Sequence, residues 1–122
     1  MKPSSDKIIV LLGEWESQRL AIATNRAHIA QDNPKILVVS LPKSSKTYSL
    51  IAKSRSARIF PIERKDAEKK GLLERLEEDL DPSSLELPEQ HVEARLELIV
   101  ELDSVDVLFL HVFPQPSTSL DS

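Results

Sequence analysis

The segment Gly13-Glu14-Trp15-Glu16-Ser17-Gln18-Arg19 joins an apolar run, Lys7 to Leu12, to Leu20-Ala21-Ile22-Ala23, and its residues stand where a chain could hold a polyanion. A strand that enters a tight turn and leaves it as a helix presents converging backbone N–H groups and the positive end of the helix dipole, the arrangement by which nucleotide-binding folds hold triphosphates. Here Glu14 and Glu16 put two carboxylates into the turn. A carboxylate about 5 Å from a phosphate charge costs roughly 3 kcal/mol at an effective dielectric near 20, so the usual triphosphate pose is disfavoured. Arg19 opposes those charges: an ion pair with Glu14 or Glu16 is the preferred reading, and residual anion binding near Gly13 is the functional one. Trp15, the sole tryptophan, either plugs the pocket or anchors a partner, and both readings stay open.

Other reactive side chains are sparse. His111 is a candidate ligand or base, but the chain has three histidines and a strand-end histidine satisfied by a backbone partner is preferred. Ser44, Ser45, Thr47 and Ser49 beside Lys43 and Lys46 could receive a phosphate or bind an anion; a solvated turn is the simpler reading. With no cysteine there is neither a disulfide framework nor a thiolate metal site. No catalytic residue and no metal ligand is assigned. Residues 1–60 hold ten Lys/Arg against four Asp/Glu, and residues 61–122 hold six against sixteen. The halves attract one another within a fold, and the basic stretch Lys43 to Lys65 has few aromatic stacking partners, so a nucleic-acid surface is disfavoured. Met1 to Asp6 lacks the apolar run of a signal peptide, and no apolar stretch approaches a membrane span, so the expected compartment is the cytoplasm.

The elements that must position these residues read as follows. Lys7 to Leu12 and Lys35 to Leu41 are apolar runs without alternation, expected as strands buried on both faces. Between them, Ser17 to Gln31 places Leu20, Ala23, Ala27 and Ala30 on one helical stripe that ends at Asp32-Asn33-Pro34. A short helix is expected over Thr47 to Arg55, and an edge strand over residues 57 to 62 because of Pro61. A helix from about Asp66 carries Leu72, Leu73, Leu76 and Leu80, with Gly71 tolerated inside it. Another covers about Glu89 to Leu102, with Val92, Leu96 and Ile99 on one side, and Val105 to Val112 is a last buried strand. Strands alternating with helices predict an α/β fold, a three-layer Rossmann-like parallel sheet with flanking helices. A single domain is expected over 1–113, with a disordered tail over 114–122.

With that order, the chain resembles the N-terminal portion of the ArsA family, the anion-pump ATPases and their tail-anchored-protein-targeting relatives. Gly13 to Ala21 lies without a gap on the family's phosphate-loop motif G-K-G-G-x-G-K-T-T, of which only the first glycine is kept. Trp15, Glu16 and Gln18 stand where that motif has glycines, Glu14 where it has its signature lysine, and Leu20 where a hydroxyl would ligate Mg²⁺. Lys35 to Pro42 is similar to the strand ending in S-T-D-P, without its aspartate. Val105 to Pro116 is similar to the second switch, with His111 in place of a metal-linked aspartate. The resemblance implies a truncated P-loop-NTPase-like sheet and a catalytically degenerate, non-hydrolysing pseudo-ATPase that acts by binding protein. Gly13 and Arg19 would be the remnant of its phosphate loop. No cofactor is implied, ATP and Mg²⁺ entering only under the alternative of weak nucleotide binding; a basic nucleic-acid binder is the other alternative. Truncation would leave strand one with an open edge, implying a protein partner or homo-oligomer through that edge.

Overall fold

The computed structural model describes residues 7–113. They form β1 (Lys7–Trp15), β2 (Gln18–Thr24), β3 (Ala27–Asp32), β4 (Lys35–Pro42), α1 (Lys46–Ser54), β5 (Ser56–Glu63), α2 (Arg64–Lys69), β6 (Asp79–Leu80), β7 (Val92–Glu101) and β8 (Val105–Val112), with 3-10 turns at Leu72–Glu74 and Pro82–Ser84. Every pairing is antiparallel, and the strand order is β3-β4-β8-β7-β5-β1-β2-β6. This overturns the expected parallel, three-layer P-loop-type sheet. Parallel neighbours need a crossover of about a dozen residues or more, whereas β1–β2 and β3–β4 are joined by Glu16-Ser17 and Asn33-Pro34 alone.

Only Asn25 and Arg26 separate β2 from β3, yet these strands stand seventh and first in the sheet. In a flat sheet six spacings of about 4.8 Å would part them by roughly 29 Å. Three Cα steps reach about 11 Å. The sheet therefore curls until β2 runs on into β3, and the Ser40 N–H donates to the Arg26 carbonyl at 3.1 Å across the bend. The result is a barrel. Its interior is filled by Leu11, Ile22, Leu37, Leu41, Leu96 and Leu108, with Ile51 of α1 among them. Outside the barrel, Ile8, Val10, Ala21, Ala23 and Phe60 pack beneath Ala67, Leu72, Leu80 and Leu85. That lid buries the second face of β1, β2 and β5, which explains why their sequences do not alternate.

Gly13 belongs to this packing. It lies within β1 opposite Leu20, and a Cβ added there would meet the Thr47 carbonyl oxygen at 2.9 Å and Ile51 Cγ1 at 3.0 Å. Absence of a side chain lets α1 lie directly on the strand, a close approach that needs glycine.

Several element expectations change for local reasons. The helix expected over Ser17 to Gln31 is β2, the bend and β3; apolar residues on both faces of β2 match a helical stripe as well as a strand. The β1–β2 hairpin escapes notice because its positive-φ position is Glu16 (φ 57), not glycine. The helix expected over Glu89 to Leu102 is β7: Val92, Ala94 and Leu96 alternate inward, then a bulge between Leu96 and Leu98 resets the count so that Ile99 faces in. Spacings of four and three were thus produced by a strand. Residues 57 to 62 do form β5, but inside the sheet. Pro61 is accommodated because β7 pairs only with Ser56–Ile59, leaving one side of Pro61 free of a ladder. The helix expected through Leu80 stops at Lys69, and Gly71 follows at φ 74. The expected tail, 114–122, lies outside the described residues. Among the described residues no helix is long and apolar enough to cross a membrane.

The Gly13 contact generates a prediction. Gly13→Ala should lower unfolding free energy in urea by about 1–3 kcal/mol, the usual cost of overpacking, because the obstructing atom is backbone. An unchanged midpoint would refute the close approach of α1 to β1.

Candidate functional site

Arg19 stands on a wall shared by two adjoining depressions. The first, about 450 Å³, is lined by Gln18, Arg19, Lys46, Ser49, Leu50 and Lys53. Its cations are placed by simple geometry: the hairpin sets Arg19 opposite Glu14, and positions 46, 49 and 53 of α1 recur at i, i+3 and i+7 and so share one face. The second, about 330 Å³, brings Leu12, Arg58, Phe60, Leu87 and His91 together with Arg19. There the Phe60 and His91 rings lie 5.3 Å apart and tilted, while the His91 imidazole contacts the Glu89 carbonyl and the Glu93 carboxylate, each at 3.1 Å. Arg19 is the one lining residue the two share; Lys46 and Lys53 add cations to the first, and the second sets Leu12, Phe60 and Leu87 beside Arg58 and His91.

Arg19 Nε lies 3.6 Å from Glu14, with both side chains half exposed. Such a pair leaves the guanidinium available, since exposed ion pairs are worth about 0–1 kcal/mol. Asp81 is held below the ordinary carboxylate value by the Ser83 N–H and hydroxyl, and it also feels Arg19. Lys46 and Lys53 have no carboxylate partner at ion-pair distance among the described residues.

The N-terminus of α1 is already filled from within. Ser45 caps it, its Oγ accepting from the Tyr48 N–H at 3.1 Å. Asp79 then accepts from the Lys46 N–H at 2.8 Å and the Thr47 N–H at 2.9 Å, and from the Ser45 and Thr47 hydroxyls at 2.9 and 2.7 Å. Burial works to raise the Asp79 carboxyl, but these donors outweigh it and hold it below the usual range. Ser45 and Thr47 are accordingly buried structural residues, not members of a solvated turn. β6, which carries Asp79, pairs with Ala21 and Ile22 of β2. Alongside it, the Glu77 N–H donates to the Ala23 carbonyl at 2.8 Å, and the Glu77 carboxylate meets Arg26 at 3.2 Å.

Asp106, a buried carboxylate, receives Lys43 Nζ and the Tyr48 hydroxyl. Lys43 first, then Tyr48, hold it below the carboxylate range, and burial together with Asp106 pushes the Tyr48 hydroxyl up. His111 faces the Glu97 carboxylate at 3.5 Å and the Phe113 ring at 5.0 Å, a side-chain setting in place of the expected backbone one. No group of three His, Asp or Glu converges to hold a metal among the described residues. Trp15 lies half exposed at the β1–β2 hairpin.

No protein-family model and no curated protein matches the sequence. Solved structures do resemble it. The styrene monooxygenase flavin reductase of Pseudomonas putida superposes with a TM-score of 0.69 at 16% identity, covering 89% of this chain and 77% of the other. The NADH:FAD oxidoreductase SgcE6 of Streptomyces globisporus gives 0.68 at 12% identity over 89% and 74%. BorF, the flavin reductase component of a bacterial two-component tryptophan halogenase, gives 0.69 at 13% identity over 91% and 80%. The fold is thus that of flavin reductases. This overturns the ArsA resemblance, and with it the degenerate pseudo-ATPase, the weak ATPase relative, the nucleic-acid binder and the expectation of a non-enzyme. Those readings depended on a strand–turn–helix at Gly13 to Ala23, which is a β-hairpin. The open edge of strand one disappears too, because β1 lies between β5 and β2.

Of the two residues expected as a phosphate-loop remnant, Arg19 lines both depressions and Gly13 packs against α1. Lys53, Phe60 and His91 carry no signal in the sequence, because the fold and not sequence proximity brings them to Arg19.

Asp79 yields a pH-dependent prediction. Asp79→Ala should destabilise the chain by about 1.5–3 kcal/mol at neutral pH, as for hydrogen bonds to a charged group. Its folded-state pKa is depressed, so the stabilisation is present above the ordinary value near 4 and fades as pH falls through the lower folded value. Urea melts at stepped pH should therefore converge for wild type and variant in acid; a gap independent of pH would contradict this role.

Proposed function

We propose that the chain is a flavin-binding oxidoreductase of the flavin-reductase kind, reducing flavin at the expense of a reduced nicotinamide dinucleotide. The observation that carries this reading is the barrel itself, matched along about nine-tenths of the chain by flavin reductases. The groove around Arg19 agrees with it. Flavin nucleotides pair a flat, largely apolar ring with an anionic phosphate, and the two depressions that share Arg19 offer Lys46 and Lys53 in one and Leu12, Phe60 and Leu87 in the other.

In this reading Arg19, Lys46 and Lys53 hold the phosphate. Side-chain cations must do so because Asp79 already takes the donors of the α1 N-terminus, the usual seat for such a group. Leu12, Phe60 and Leu87 supply the apolar wall that excludes water, and His91, fixed by Glu89 and Glu93, orients the polar edge. Bound flavin would supply the two-electron acceptor, taking hydride from the nicotinamide and one proton from solvent.

Titration calorimetry with FMN and FAD, followed by spectrophotometric measurement of NADH oxidation, tests the proposal. Wild type should bind one of the two flavins, and Arg19→Ala combined with Lys46→Ala should weaken binding at least tenfold, about 1.4 kcal/mol. No binding of either flavin up to about 1 mM would overturn it.

A further inference from the structure

β5 loses one neighbour halfway along its length. β7 pairs with it only as far as Ile59 and Val92, so Pro61 and Ile62 have a ladder to β1 alone. Beside them lies a depression of about 620 Å³, lined by this end of β5, by α2 and by the segment Ser84 to Pro88. It is larger than either depression at Arg19 and shares only Pro88 with them. Small-molecule sites commonly span about 300–1,000 Å³. Buried Ile62 and Leu85 give it an apolar floor. Its walls are charged: Asp66, Lys69 and Lys70 recur at i, i+3 and i+4 and so share one face of α2 and its cap, and Glu86 belongs to the remaining wall.

Lys70 Nζ donates to the Glu86 carbonyl at 3.0 Å and so ties α2 to that wall. Glu86 itself sits at φ 49, a left-handed conformation that residues other than glycine adopt rarely and that gathers at ligand-holding segments. The side chains of Asp66, Lys69 and Glu86 make no hydrogen bond or ion pair among the described residues. These three present one uncommitted cation and two uncommitted carboxylates above an apolar floor. A simple anion would meet the carboxylates, and a simple cation would meet the lysines. A molecule carrying both charges satisfies each. Asp66 and Lys69 lie one helical turn apart, about 5–6 Å between Cβ atoms, a spacing suited to an ammonium and a carboxylate borne on a single carbon.

We infer that this depression binds a free α-amino acid with an apolar side chain. Lys69 takes the α-carboxylate, Asp66 and Glu86 take the α-ammonium, and the side chain lies on Ile62 and Leu85 beside Pro61. The site is separate from the groove around Arg19 and does not depend on what that groove holds.

Titrating the isotopically labelled full chain with L-leucine and with L-phenylalanine tests the site. At least one should bind saturably, with a dissociation constant of about 1 mM or tighter, and should shift the amides of Lys69, Leu85 and Glu86 while Lys46 and Lys53 stay unmoved. Isoamylamine, which is leucine without its carboxylate, and isocaproate, which is leucine without its ammonium, should each bind at least tenfold more weakly. Lys69→Ala, a change at an exposed position, should weaken amino-acid binding at least tenfold with the circular dichroism spectrum intact, and Asp66→Asn should do the same. Absence of saturable shifts with both amino acids up to about 10 mM would overturn the inference and leave the flavin proposal untouched. Isoamylamine binding as tightly as leucine would overturn it in favour of a plain cation site. An affinity for leucine unmoved by Lys69→Ala would overturn it in favour of another location.

Discussion

The link between β2 and β3 governs the rest of the molecule. Two residues, Asn25 and Arg26, must connect strands that lie at nearly opposite ends of the sheet order, and a backbone of that length has one solution, to roll the sheet up. Rolling gives the eight strands an inside, and Leu11, Ile22, Leu37, Leu96 and Leu108 fill it. It also decides where α1 goes. The helix lies against β1 because Gly13 lets its backbone come within contact distance, and that placement carries Lys46 and Lys53 to the side of Arg19. The groove is a consequence of closure.

Much of the strand content was legible in the sequence. Lys7 to Leu12, Lys35 to Leu41 and Val105 to Val112 are apolar runs with nowhere to place a solvated helical face, and Thr47 to Arg55 differs from α1 by a residue at each end. The antiparallel direction of the strands was not legible. Leu20, Ala23 and Ala27 satisfy a helical period because β2 is buried on both sides, and Val92, Leu96 and Ile99 satisfy it because a bulge adds one residue to a strand. Each error put a helix where the chain runs as strand. Together they turned an antiparallel barrel into an alternating α/β chain, and an ATPase resemblance followed from that alternation.

The site was legible only in part, for the same reason. Arg19 stood out as a cation facing two carboxylates, and it does face Glu14 across a hairpin. What the sequence conceals is that residues 46, 53, 60 and 91 meet it. It also conceals Asp79, which reaches back over thirty residues to sit among the first N–H groups of α1. With an internal carboxylate in the usual phosphate seat, the cations left for an anion there are the side chains of Arg19, Lys46 and Lys53, whose exposed charges salt screens.

The central claim, that a flavin lies in the groove around Arg19, is tested most directly by titrating the isotopically labelled chain with FMN and following backbone amide resonances. The account predicts saturable shifts concentrated at Arg19, Lys46, Ser49, Lys53 and His91. Shifts confined to the far side of the barrel, along β3, β4 and β8, would contradict it.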